Sequence, residues 1–150
     1  MSSPRLGRVG TARSDGIVPD ASTLVAALTD HGEAGTWARA VLRGRPIAVP
    51  SLARVECANV LRRLQISGAV TADAASHAHA DMLALPLEEW PYELLAQRSW
   101  ELRATMTAYD SSYVALAERI GAPLATLDHR LARAVAAASD CVVRTPSGGA

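Results

Sequence analysis

Short apolar runs alternate with helix-length amphipathic segments along most of the chain. The runs typical of strands are 17–20, 47–49, 85–90, 123–127 and 141–144. The segments with apolar residues every three to four positions, typical of helices, are 22–28, 33–42, 51–65, 71–83, 92–104, 107–120 and 128–138. Strands that alternate with helices favour a parallel sheet covered on both faces, which is a three-layer α/β fold.

Turn-forming residues and composition set the expected boundaries of this domain. Pro50 is expected to stop the second strand. Gly121 is expected to end the helix over 107–120. Residues 1–16 are rich in Ser, Gly and Arg without periodicity and predict a flexible tail, as do residues 145–150. We therefore expect one folded domain over residues 17–144.

Composition narrows the chemistry that the domain can perform. Hydrophobic residues make up 49% of the chain and charged residues 20%, which is ordinary for a globular domain. The formal net charge is zero, so no global positive field attracts nucleic acid. All 15 basic residues are Arg, which excludes mechanisms that need a Lys, such as Schiff-base or P-loop chemistry.

The two thiols and the absence of targeting patterns indicate the compartment. Cys57 and Cys141 have no metal-site spacing and are expected to be reduced. The first 16 residues lack the apolar core of a signal peptide, and no apolar run is long enough to span a membrane. We expect a cytoplasmic protein without membrane attachment.

Four acidic residues lie at the ends of predicted strands or near the starts of predicted helices. Asp20 and Asp128 end strand-like runs, whereas Glu56 and Asp110 lie near the starts of helices. Because the carboxyl ends of parallel strands meet at one crevice, these side chains could converge there. Two carboxylates about 5 Å apart repel by roughly 3 kcal/mol, so four together need a divalent cation such as Mg²⁺ or Mn²⁺. A cation held by acids is suited to phosphodiester hydrolysis.

Each acid also has an ordinary explanation. Asp20, Asp110 with Thr107, and Asp128 could cap helices. Glu56 could be a solvated residue at the edge of its helix. These explanations account for the acids one by one but not for their convergence.

Several polar residues could support such a site. Ser22 and Thr126 each lie two residues from an acid, and Asn59 lies on the same helix face as Glu56. The Arg residues that could contact phosphates are Arg54, Arg62, Arg63, Arg103 and Arg130. The four His residues show no metal-binding spacing.

Four segments in order carry a family resemblance. They are VPDAS at 18–22, PSLARVECANVLRR at 50–63, TAYDSSYVALA at 107–117 and GAPLATLD at 121–128. With these motifs the chain resembles the PIN-domain ribonucleases, and within them the VapC toxins of bacterial type II toxin–antitoxin pairs. Pro19 is a departure, because the family usually has a hydrophobic residue there and Pro is unusual inside a sheet.

The resemblance implies a five-stranded parallel sheet and an endoribonuclease that cuts RNA with a water activated by Mg²⁺, or Mn²⁺. It places Asp20, Glu56, Asp110 and Asp128 at the catalytic metal site, with Ser22 and Thr126 nearby. It also implies a homodimer and a cognate VapB-like antitoxin. A nuclease of RNA processing and a non-catalytic PIN-like interaction module stay open as alternatives.

Overall fold

Five short parallel strands and seven helices alternate in residues 15–147, the part of the chain that this computed structural model describes. The strands are β1 (Val18–Pro19), β2 (Ile47–Pro50), β3 (Leu87–Trp90), β4 (Leu124–Ala125) and β5 (Val143–Arg144). The helices are α1 (Ala21–Thr29), α2 (Glu33–Leu42), α3 (Ala53–Ile66), α4 (Ala72–Ala84), α5 (Ala96–Glu101), α6 (Ala108–Ile120) and α7 (His129–Ala138). The predicted α/β architecture is confirmed. Residues 1–14 and 148–150 of the two predicted tails lie outside the described residues.

The sheet changes direction at β1. Strands β1, β4 and β5 pair in that order, β2 pairs with β3, and all these pairs are parallel. A single parallel bridge between Ile17 and Ile47 joins the two groups and gives the order β3-β2-β1-β4-β5. Since the chain continues to opposite sides of β1, a crevice opens between the carboxyl ends of β1 and β4.

Two prolines explain why the five strands form two hydrogen-bonded groups. The N–H groups of Val18 and Asp20 donate towards β4 at 2.9 and 3.0 Å, whereas that of Ile17 donates towards β2 at 3.0 Å. Pro19 is the next residue on the edge that faces β2, and it has no N–H to donate. The pairing of β1 with β2 therefore ends after one bridge.

Pro50 has the same effect from the other strand. The N–H of Ala48 donates to Ile17 O at 3.1 Å, and Pro50 lies two residues later on the same edge. On its other edge β2 continues to pair, with Pro50 opposite Trp90. Strand β2 ends at Pro50, one residue beyond the predicted end at Val49, because a proline is tolerated where its missing N–H faces no partner.

The predicted continuous helix over 92–104 was correct only in part. The chain there forms a 3₁₀ turn (Tyr92–Leu94), the short helix α5 and further turns before α6. The tight turn buries Leu95, and the turns after α5 bury Leu102, at 1% and 4% exposure. Burial of these side chains outweighs the helical continuity that their spacing suggested.

Helix α6 forms the centre of the molecule. Thr107 caps its start, and Gly121, with φ of 66°, closes its end in the left-handed conformation. Its residues 111–117 are all buried between the sheet and the neighbouring helices. No helix in the described range is long and apolar enough to cross a membrane.

Candidate active site

Asp20 is held rigidly where β1 ends. It is only 6% exposed and caps α1 by accepting the Thr23 N–H at 3.0 Å. Its carboxylate also accepts hydrogen bonds from Ser22 Oγ at 2.6 Å and Thr126 Oγ1 at 2.5 Å. Burial raises the pKa of Asp20, and these hydrogen bonds oppose that rise because they stabilise the charged form.

The two predicted supporting hydroxyls connect β1 with β4. Thr126 follows β4 and, besides donating to Asp20, accepts the Asp128 N–H at 2.9 Å. Ser22 accepts the Leu127 N–H at 3.2 Å. The Leu127 N–H thus bonds to a side chain and not to a neighbouring strand, and β4 is shorter than the predicted run over 123–127. Two hydroxyls thus fix the loop before α7 against the loop before α1.

Glu56 faces the same region from the first turn of α3. Its Oε1 atom is fully buried and has no hydrogen-bond partner within residues 15–147, and the same is true of the hydroxyl of Tyr113. Burial raises the pKa of Glu56; the nearby Tyr113 hydroxyl opposes this, and the charges of Asp110 and Asp20 add to it. The buried carboxylate is therefore costly to ionise where it stands.

Tyr113 is a site residue that sequence reasoning missed. It is 1% exposed, and burial beside Glu56 raises its pKa. The available signal was its spacing, because Tyr113 lies three residues after Asp110 on one helix. A tyrosine in such an apolar stretch is read more readily as core.

Asp110 and Asp128 share one cation, the guanidinium of Arg130. Arg130 Nη2 lies 3.5 Å from Asp110 Oδ2 and 3.3 Å from Asp128 Oδ2. Burial raises the pKa of Asp110; Arg130 opposes this, and the charges of Asp128 and Asp20 add to it. The acids are thus near enough to perturb one another, which is typical of a functional site.

The capping interpretations and the site are not exclusive. Asp20 caps α1 as described, and Asp128 Oδ1 caps α7 by accepting the Leu131 N–H at 3.1 Å. At α6 the cap is Thr107, which accepts the Asp110 N–H at 3.1 Å. In Asp128 one oxygen serves as cap while the other pairs with Arg130, so a cap residue keeps an oxygen for other partners.

A cavity of about 750 Å³ is lined by two of the four acids, Glu56 and Asp110. Glu56, Asn59, Asp110, Arg63 and Arg130 provide its polar lining. Its exposed apolar rim includes Leu52, Val55 and Tyr109, which are 43%, 66% and 56% exposed. Asp20 and Asp128 are not among the residues that line it.

Other predicted phosphate contacts lie elsewhere. Arg54 pairs with Glu89 at 3.0 Å, and Arg103 stacks on Trp100 at 4.7 Å. Arg62 lines a separate cavity between α3 and α4. Of the five Arg residues suggested by the sequence, only Arg63 and Arg130 line the acidic cavity.

The donor set fits a hard divalent cation in its chemistry. In residues 15–147 no three His, Cys, Asp or Glu side chains are close enough together to form a ready metal site. Among these residues, however, one buried oxygen of Glu56 has no hydrogen-bond partner. The positive side chain of Arg130 pairs with both Asp110 and Asp128. Carboxylate oxygens in mutual repulsion are the ligands that Mg²⁺ and Mn²⁺ prefer.

Comparison with known proteins shows the family of this chain. The PIN domain family matches residues 17–137. Ribonuclease VapC9 of Mycobacterium tuberculosis is 39% identical over 115 residues, which cover 77% of this chain and 87% of VapC9. The chain belongs to the PIN-domain VapC ribonuclease family.

Solved structures show the same PIN fold. PAE2754 from Pyrobaculum aerophilum superposes with a TM-score of 0.63 at 24% identity, covering 95% of this chain and 92% of that one. VapBC2 from Rickettsia felis, solved bound to a DNA fragment from its promoter, gives a TM-score of 0.60 at 14% identity over 86% and 97%.

Glu56→Gln should stabilise this PIN domain in the absence of metal. The folded-state pKa of Glu56 is raised, so Glu56 binds its proton more tightly in the folded than in the unfolded chain. Its contribution to stability is therefore present below the unfolded pKa and is lost as the pH rises through the folded pKa. We expect a gain of about 1 kcal/mol at about pH 7, shrinking towards about pH 4.

Urea unfolding in EDTA at both pH values measures this gain. Glu93→Gln, at an exposed position, is the control for loss of one negative charge. Equal gains in both variants would mean that the burial of Glu56 has no influence.

Proposed function

We propose that this VapC-family protein is an endoribonuclease that requires a divalent cation, Mg²⁺ or Mn²⁺, and acts as the toxin of a type II toxin–antitoxin pair. The observation that carries the proposal is the acidic cavity. Glu56 and Asp110 line it, the buried Asp20 is near enough for its charge to affect both, and Asp128 is connected to Asp110 through Arg130.

The four carboxylates would hold the cation in different ways, because they differ in how firmly their own positions are fixed. Asp20 is fixed by Ser22 and Thr126 and would provide an immobile ligand. Glu56 and Asp110 would provide oxygens from α3 and α6. Asp128 would act from further out, since one of its oxygens caps α7. A bound Mg²⁺ or Mn²⁺ would neutralise a phosphate oxygen and lower the pKa of water at the site.

Glu56 is suited to move the proton. Its raised pKa brings this carboxylate nearer to the pH at which it would work, which favours a general base. Glu56 also lines the cavity, so its carboxylate could take up a proton from a water there. We therefore assign proton transfer to Glu56 and positioning to Asp20.

The cavity walls are suited to single-stranded or looped RNA. Arg63 and Arg130 line the cavity and can contact phosphates there. Tyr109 is 56% exposed at the rim and could stack on an unpaired base. The neutral net charge means that affinity would depend on these local contacts.

The apolar rim supports a protein partner. Leu52 and Val55 are exposed beside the acids, where a soluble monomer gains nothing from apolar side chains. A VapB-like antitoxin that covers this rim would also block the cavity, and the structural similarity to a VapBC complex supports such a pair. We extend the proposal to a cytoplasmic homodimer, as the family resemblance implies, with the PIN domain over residues 17–144.

Cleavage of labelled RNA during a Mn²⁺ titration tests the nuclease. We expect no cleavage in EDTA, restoration by Mn²⁺ or Mg²⁺, and a loss of about 100-fold or more in Asp110→Asn. Cleavage that persists in EDTA would refute metal dependence. A folded protein that cuts no RNA at any metal concentration would favour the non-catalytic interaction module.

Expression of the protein in cells tests the toxin assignment. We expect growth to stop, and to resume when a small protein encoded by an adjacent reading frame is co-expressed. Expression without arrest, together with RNA cleavage in vitro, would favour a nuclease of RNA processing instead.

A further inference from the structure

Arg130 is the shared counter-ion of two site acids. Its Nη2 lies 3.5 Å from Asp110 Oδ2 and 3.3 Å from Asp128 Oδ2. The other oxygen of Asp128 is used by the cap of α7. Arg130 thus binds the one oxygen of Asp128 that the helix does not need.

The stability of α7 does not explain this placement. Arg130 lies in the first turn of α7, where the positive end of the helix dipole disfavours a cation. Its side chain is 66% exposed, and ion pairs at such exposure contribute little to stability. The guanidinium can therefore leave both carboxylates at low cost.

We propose that Arg130 neutralises Asp110 and Asp128 in the metal-free protein and moves to an RNA phosphate when a divalent cation binds these carboxylates. This inference rests on the proposed function. A metal ion and the guanidinium compete for the same oxygens, so binding of the metal releases Arg130. The released side chain lines the cavity that would hold RNA, and its planar fork matches a phosphate.

Opposite changes in two affinities test the proposal. Arg130→Ala removes the competing cation, so Mn²⁺ should bind the RNA-free protein about three- to tenfold more tightly, as measured by electron paramagnetic resonance. The same variant loses a phosphate contact, so a short single-stranded RNA should bind the Ca²⁺-loaded protein about five- to tenfold more weakly. The slope of log affinity against log salt concentration should become shallower by about one unit, as expected for the loss of one phosphate contact. A gel after the titration verifies that the RNA is intact.

Arg133→Ala is the matched control. Arg133 is exposed on the same helix, lies outside the lining of the acidic cavity, and makes no ion pair within residues 15–147. Loss of its charge should leave both affinities within about twofold of the wild type.

The outcomes separate this inference from the proposed function. A wild-type protein that binds no Mn²⁺ would refute the proposed metal site. If the wild type binds Mn²⁺ and Arg130→Ala binds it equally well, only the counter-ion role is overturned. Tighter Mn²⁺ binding without weaker RNA binding would overturn the transfer to phosphate.

Discussion

Asp20→Asn should abolish RNA cleavage, by about 100-fold or more, while the free energy of unfolding stays within about 1 kcal/mol of the wild type. Asn is as good a helix cap as Asp, so the Thr23 N–H keeps its acceptor. The amide can donate to Thr126 Oγ1, whose hydroxyl has a second lone pair. Loss of the buried charge, whose pKa burial raises, offsets the weaker hydrogen bonds.

Asp20→Ala should lose activity and stability together. It removes the cap of α1 and leaves the hydroxyls of Ser22 and Thr126 without the carboxylate that they contact. The lost cap costs about 1 kcal/mol, and unsatisfied buried donors cost about 1–3 kcal/mol. We expect a total of about 3 kcal/mol.

Urea unfolding in EDTA and a Mn²⁺-dependent cleavage assay measure the two effects in parallel. The comparison separates the two functions of Asp20, because Asn keeps the cap of α1 but has neither the charge nor the second acceptor oxygen of the carboxylate. Equal destabilisation by Asn and Ala would mean that Asp20 is mainly structural. Full activity in Asp20→Asn would remove it from the metal site.

Much of the fold was predictable because the relevant signals are local. The bounds of α2 matched at 33–42, and the cap and glycine of α6 were both recognised from short motifs. The prediction failed where packing against residues distant in sequence determines the local structure, as in the turns that bury Leu95 and Leu102. It placed the end of β2 one residue early, at Val49, because sequence cannot tell which strand edge a proline faces.

The candidate site divides in the same way. The four acids and Ser22 and Thr126 stand in motifs that can be read directly, and the structure brings the two hydroxyls onto Asp20. The pairing of Arg130 with two acids depends on how α6 and α7 approach each other, so no sequence spacing reveals it. Tyr113 was missed because it lies in an apolar stretch of sequence, where a tyrosine is more readily interpreted as a core residue.

Thr126→Val should destabilise the protein by about 3 kcal/mol and weaken Mn²⁺ binding about 10- to 100-fold. Val keeps the shape of Thr but has no hydroxyl. Thr126 is fully buried, and its Oγ1 both donates to Asp20 at 2.5 Å and accepts the Asp128 N–H at 2.9 Å. Without it, a buried carboxylate oxygen loses its donor and a backbone N–H loses its acceptor. The pKa of Asp20 should rise further, because a hydrogen bond to its charged form is gone.

Thr126→Ser is the matched control, since it keeps the hydroxyl and loses only a buried methyl group, at about 1 kcal/mol. Urea unfolding in EDTA and Mn²⁺ titration of both variants give the comparison. If the hydroxyl holds Asp20 in place, Ser retains metal affinity and Val does not. Equal stability and equal Mn²⁺ affinity in the two variants would show that packing of the side chain, rather than its hydrogen bonds, connects β4 to Asp20.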